Sequence, residues 1–209
     1  MRILVLSLLL VLTNCTQITS KKTIDESKIS PESKAALDNA RAHFRTHKIK
    51  LALDELGRLD DKTLTPVEMA LKYNLKGVIL FNQNELEAAL INFEVAEKNA
   101  PKDTQLYSQV ELNLASIHFR LGDFDKLKTY LDKIDLKALS KEERKKYGQL
   151  ILAFANKNDS SFMATSAAII LLEDAKSLDE IRSSKLFEGM SNAWMKLSEK
   201  EKVKLLEKF

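Results

Sequence analysis

Apolar residues recur at helical spacing, three and four positions apart, through most of the chain beyond residue 30, and short polar breaks interrupt that rhythm at near-regular intervals. The clearest case is ALKYNLKGVILFNQNELEAALINFEVAEKNAP, from Ala70 to Pro101. It predicts two short helices facing each other. Small residues stand where the backbones must come close, Gly77 in the first helix and Ala89 and Ala96 in the second, while Tyr73, Leu80 and Phe93 fill the space around them. Pro101 lacks the backbone N–H that would continue a helix and so closes the unit.

Aligning the chain on phenylalanine brings out the same unit elsewhere. Phe44, Phe81, Phe119 and Phe154 lie 37, 38 and 35 residues apart, and four residues before them stand Ala40, Gly77, Ala115 and Leu150. Eight residues after them stand Ala52, Ala89, Leu127 and Phe162. The turns align too: HKIKLALDEL from His47, NELEAALINF from Asn84 and GDFDKLKTYL from Gly122 each resume an amphipathic period after a polar residue or glycine. Three units result. A fourth, from about Lys141 to Leu172, departs from the pattern because Leu150 and Phe162 stand where small residues belong, and its helix pair is expected to pack at a different angle.

Helix-start signals set the boundaries. Ser30-Pro31 reads as a cap followed by proline in the first turn. Thr65 with Glu68, Ser140 with Glu143, Ser177 with Glu180 and Ser198 with Glu201 each pair a hydroxyl with a carboxylate three residues on, so that each side chain satisfies an orphan backbone N–H. The last two helices are predicted from about Leu178 to Leu197 and from Glu199 to the end. Leu186, Met190, Trp194 and Leu197 form one stripe, suited to covering the open end of a helical stack.

Composition agrees with an all-α chain. With 5 Gly and 3 Pro in 209 residues, 44% hydrophobic and 30% charged, the chain can bury a substantial core of one domain's size. Its 33 basic and 30 acidic residues are interspersed, leaving a net charge of +3; that is the look of solvated helix faces and not of a nucleic-acid footprint.

The first residues have another character. Arg2 precedes an apolar run from Ile3 that is too short to span a bilayer, so residues 1–14 read as a secretory signal. The run ends in Leu12-Thr13-Asn14-Cys15, and Cys15 is the chain's single cysteine. This resembles the bacterial lipobox, in which the cysteine is lipidated and becomes the mature N-terminus; Asn14 departs from the Gly, Ala or Ser usual there. The resemblance implies a lipoprotein, and Thr16 in place of an inner-membrane-retaining Asp implies the outer membrane, with the protein facing the periplasm. Residues 15–30, rich in Ser, Thr and Lys without apolar period, are expected to tether lipid to domain.

Residues that could carry catalysis are scarce. His43 and His47 stand four apart in HFRTH, a spacing that could ligate a metal on a continuous helix, but His47 falls at the expected turn and no third ligand is evident. His118 occupies the place equivalent to His43 and reads as a packing residue. No nucleophile elbow, glycine-rich phosphate loop or cysteine cluster is present, so neither an enzyme nor a cofactor is expected.

The unit described above, with Gly77, Ala89, Phe93, Ala96 and Pro101, resembles the tetratricopeptide repeat, an antiparallel helix pair of about 34 residues that buries its apolar face against like neighbours. The resemblance implies a right-handed superhelical solenoid of three to four such pairs over residues 31–175, with capping helices over 176–209. It also implies a non-enzymatic protein-binding scaffold whose first helices line a concave groove. Carried residue by residue, that groove would present Phe44, Phe81, Phe119 and Phe154, with Arg45, Asn82 and Arg120 one place later and Arg41, Asn74, Val78 and Ser116 nearby. The partner would be a protein or peptide of the cell envelope, with rings burying apolar anchors and Arg or Asn meeting carboxylates or carbonyls. Leu37 and Leu112 stand where a carboxylate clamp for chaperone tails would need polar donors, so that variant is not implied. Small repeat lipoproteins of this kind resemble pilotins, accessory subunits of the outer-membrane β-barrel assembly machinery, and helical activators of penicillin-binding proteins; the stretch from Phe187 to Phe209 is faintly similar to the last class.

Overall fold

The computed structural model describes residues 23–172 and 185–208, and these are helical throughout, with no strand among them. The expected signal segment, Cys15 and the expected Ser177–Glu180 capping pair lie outside the described residues. Ten α-helices are described: α1 (Pro31–Arg45), α2 (Ile49–Gly57), α3 (Pro66–Asn82), α4 (Leu86–Asn99), α5 (Gln105–Leu121), α6 (Phe124–Lys133), α7 (Lys141–Lys157), α8 (Ser161–Leu172), α9 (Lys185–Met195) and α10 (Glu199–Lys208). They fall into two compact units, divided between Leu139 and Ser140.

In the first unit, adjacent helices pair and alternate ones also meet: α1 packs on α2 and α3, α3 on α4 and α5, and α5 on α4 and α6. The positions aligned by phenylalanine are buried alike. Ala40, Gly77 and Ala115 in the first helices, and Ala52, Ala89 and Leu127 in the second, are all inaccessible. A methyl group on Gly77 would sit 2.6 Å from Cδ1 and Cε1 of Phe93, so the absence of a side chain there sets how closely α3 and α4 approach.

One turn geometry recurs. His47, Asn84, Gly122 and Asp159 all have left-handed backbones, with φ of 58°, 64°, 76° and 48°. The next residue in each case donates its N–H to the carbonyl five residues back: Lys48 to His43 (2.9 Å), Glu85 to Leu80 (3.0 Å), Asp123 to His118 (2.9 Å) and Ser160 to Ala155 (3.0 Å). This six-to-one bond ends the first helix of each hairpin and aims the chain into the second. Asn, Asp, His and Gly are the residues that tolerate this conformation best.

The caps form as expected. Ser30 accepts from the N–H of Ser33 (3.2 Å), and Thr65–Glu68 and Ser140–Glu143 make reciprocal capping boxes. In the third box Ser198 N donates to Glu201 (2.9 Å) and Glu201 N donates back to Ser198 Oγ (3.4 Å). The segment ahead of α1, expected to belong to the tether, is instead attached from residue 24. Ile24 packs against the core around Phe93 and Leu106, Glu26–Lys28 form a 3-10 turn, and Ser30 N donates to Glu68 Oε1 (2.8 Å). Lys72, itself buried, holds the loop between α2 and α3 by donating to the carbonyl of Leu59 (2.7 Å) and to Asp61 (2.6 Å).

The second unit is organised around α8, which α7, α9 and α10 all contact. Residues 165–170 of α8 are buried on every side, the pattern of a helix enclosed by its neighbours. The close approach of α7 comes at Gly148, where an added methyl would lie 3.0 Å from Leu171, two residues before the Leu150 expected to occupy that place. Trp194 and Leu197 are buried, in keeping with the predicted stripe, while the side chains of Leu186 and Met190 lie outside the described residues.

Candidate functional site

The candidate ligand face is the one carried by α1, α3 and α5. Phe44, Phe81 and Phe119 stand near the C-terminal ends of these helices, because each precedes the left-handed turn residue by three positions. All three rings are half-buried. Phe44 rests on the cluster of Leu37, Ala40, Ala52, Leu56 and Ile79, and Phe81 on the cluster around Leu80 and Phe93. Phe119 meets Phe124, at the start of α6, edge to face at 6.3 Å. Phe154 is different: it is buried and contributes to core, so it cannot line a face. The turn explains why, since Asp159 follows Phe154 by five residues and not three.

Arg120 joins two of the hairpins. Its Nη2 donates to Asn84 Oδ1 at 2.6 Å, and its guanidinium lies over the Phe81 ring at 5.4 Å. One aromatic ring of α3 is therefore faced by a cation from α5, an arrangement worth about 0.5–1 kcal/mol at an exposed site. Nearer the middle of the same helices Asn113 Nδ2 donates to Asn74 Oδ1 at 2.8 Å. Asn82 donates to Val78 O in its own helix (2.9 Å), and Arg41 pairs with Asp38 (2.9 Å). Arg45 is exposed at the end of α1. Of the residues expected to form one groove, the structure brings Phe81 and Arg120 into direct contact, while Asn74 pairs separately with Asn113. It adds Asn84 and Asn113, which alignment on phenylalanine did not single out. Asn113 was visible as an amide between Leu112 and Leu114, and Asn84 as the turn residue itself.

What this face offers is chemically simple. Half-exposed rings supply apolar contact, and the Arg120 guanidinium, fixed by Asn84 and Phe81, keeps further N–H donors for a carboxylate or carbonyl. His43 stands in α1 and His47 in the left-handed turn beyond it, so the two do not share a helical face. Among the described residues no group of three or more His, Cys, Asp or Glu side chains is placed to hold a metal, and no helix is long and apolar enough to cross a membrane.

A shallow cavity opens between the segment at Ser27–Ser33, the loop at 59–65 and the start of α3. Its polar wall is already engaged. The buried Glu68 carboxylate accepts from Ser30 N on one oxygen and from Thr65 N on the other, each at 2.8 Å. Burial acts to raise its pKa, but the hydrogen bonds from Thr65 and Ser30 outweigh it and hold the group down at about 2. Glu68 thus fills, as a built-in anion, the place that two helix N-termini would otherwise offer a ligand.

Set against known proteins, the chain matches no family model, no curated protein and no solved structure.

Proposed function

We propose that the protein is a non-enzymatic scaffold of tetratricopeptide type: a right-handed solenoid that binds a protein or peptide of the cell envelope through the face of α1, α3 and α5, held by a lipid on Cys15 at the periplasmic side of the outer membrane. The observation that carries this reading is the repetition of one hairpin. Its turn recurs at His47, Asn84, Gly122 and Asp159, and three successive hairpins keep equivalent residues at their contact positions while placing an exposed edge of phenylalanine on the first helix. Repetition of that kind builds extended surface and not an enclosed pocket, and extended surfaces suit polypeptide partners. The anchor rests on the residues around Cys15 alone.

The face is tested by replacing Phe81 and Phe119 together with Ala. The double variant should keep its helical circular dichroism and lose co-purification of partners from detergent-solubilised envelopes. Retained co-purification sinks the assignment, and loss of helicity shows the rings to be core. For the anchor, Cys15→Ala should leave the protein soluble after membranes are sedimented; continued membrane association contradicts lipidation.

A further inference from the structure

Deep between α4, α5 and α6 lies a group that no cap, turn or docking face explains. Glu111, in the middle of α5, is fully buried, and neither carboxylate oxygen has a hydrogen-bond partner within 3.5 Å; the Tyr107 hydroxyl and the Glu97 carboxyl act on it only as longer, weaker partners. The nearest cation, Lys133 Nζ on α6, is 4.0 Å away and is shared: it stands 3.6 Å from Glu97 on α4 and 4.6 Å from the centre of the Tyr130 ring. Lys133 is also half-exposed, so much of its charge is answered by water. An ionised carboxylate shut from solvent without hydrogen bonds is far costlier than a neutral acid in the same place.

We propose that Glu111 carries a proton in the folded protein and serves as an acid-sensitive latch: the neutral acid lets α5 and α6 close against α4, and its ionisation loosens that packing. The surrounding groups are of a kind to bias such a latch. From α4 come Glu97 and Glu94, from α5 itself Tyr107 and His118, and from α6 Tyr130 and Lys133. The third neighbour of α5, helix α3, meets it through Asn74 and Asn113. Glu97 is the natural acceptor for the proton, since a carboxylic acid and a carboxylate facing each other across two helices share one hydrogen where two anions would repel. Tyr130 donates towards Glu97 at 3.5 Å and is pushed up to about 12, by burial first and by Glu97 and Glu111 next, so it stays neutral. His118, stacked on Tyr130 at 5.4 Å, is lowered by burial, which favours its neutral form.

The direction of the effect follows. Burial, the largest influence, raises Glu111 above the ordinary 4.5; Tyr107 and Lys133 act the other way, and Glu97 adds to the rise. A carboxyl raised on folding stabilises fully below its unfolded value, and that stability is lost as pH climbs through the folded value. The latch is therefore tight at low pH and loosens as pH rises above the ordinary carboxyl value. Its test reads folding alone and is independent of the binding face.

The experiment compares urea unfolding of the full chain and of Glu111→Gln, whose amide imitates the neutral acid, from the unfolded carboxyl value up to about pH 8. Relative to the variant, the wild-type unfolding constant should rise with pH by up to about tenfold per unit, one proton's worth. Lys133→Met reads the same latch without altering Glu111: removing the cation should enlarge the loss. A Glu111→Gln protein that is less stable than wild type, increasingly so as pH rises, overturns the proposal, because Glu111 would then act as an ionised partner of Lys133. Parallel curves for wild type and Glu111→Gln, or a Lys133→Met protein whose total loss over the range is no larger than that of wild type, overturn it as well.

Discussion

Replacing Gly77 with Ala sets two opposing effects against each other. In a helix interior Ala is favoured over Gly by about 1 kcal/mol. At this position, however, the new Cβ would stand 2.6 Å from two atoms of the Phe93 ring, well inside ordinary contact, and Phe93 is only 1% exposed. The ring cannot swing into solvent, so either it leaves its rotamer or α3 and α4 move apart. Overpacking of that kind costs about 1–3 kcal/mol. The net expectation is a loss of about 1 kcal/mol despite the better helix former. Gly57 supplies the control, because a methyl there meets nothing within 4 Å at the end of α2, and Gly57→Ala should be neutral or stabilising. Equilibrium urea unfolding followed by circular dichroism measures both. Phe93→Leu, destabilising by itself, should cost less when Gly77 is already Ala, and a double-mutant cycle measures that coupling. If Gly77→Ala is as stable as Gly57→Ala and Phe93→Leu costs the same in both backgrounds, the close hairpin contact does not exist.

The turns and the N-terminal attachment make further predictions. Gly122→Ala places a side chain at φ 76° and should cost about 1 kcal/mol, whereas His47→Gly relieves the same conformation at φ 58° and should be neutral or gain up to about as much; thermal unfolding of the two separates them. Glu68→Ala should lose about 3 kcal/mol at neutral pH, the equivalent of lowering its carboxyl from 4.5 to about 2. Because that carboxyl is lowered on folding, the wild-type advantage should be complete above 4.5 and fade as pH falls towards 2; acid titration of both proteins by circular dichroism reads the convergence.

Much of the first unit was legible because local signals and packing agree there. His47, Asn84 and Gly122 mark turns by residue type, and Gly77, Ala89 and Ala96 mark contact by size. The fourth hairpin falls out of phase when aligned on phenylalanine, because Phe154 is buried. Asp159, 37 residues after Gly122, carried the better signal, and it places Phe154 inside the core. Glu111 was not legible: a glutamate at helical spacing reads as solvated, and only the covering of α5 by both α4 and α6 buries it. The attachment of residues 24–30 was hidden for a similar reason, since a polar segment without period is ordered here by Glu68, 38 positions beyond Ser30. The Arg120–Phe81–Asn84 contact likewise depends on two hairpins meeting, and no local pattern announces it.

The binding role of the α1, α3 and α5 face is tested most directly by a photoreactive side chain at exposed Asn82, beside Phe81, in living cells, with exposed Lys98 on α4 as the control position. Irradiation should yield one discrete protein adduct from position 82, none from position 98, and none from position 82 once Phe119 and Arg120 are both Ala. Equal adducts from both positions, or no adduct at position 82, would contradict the assignment of that face.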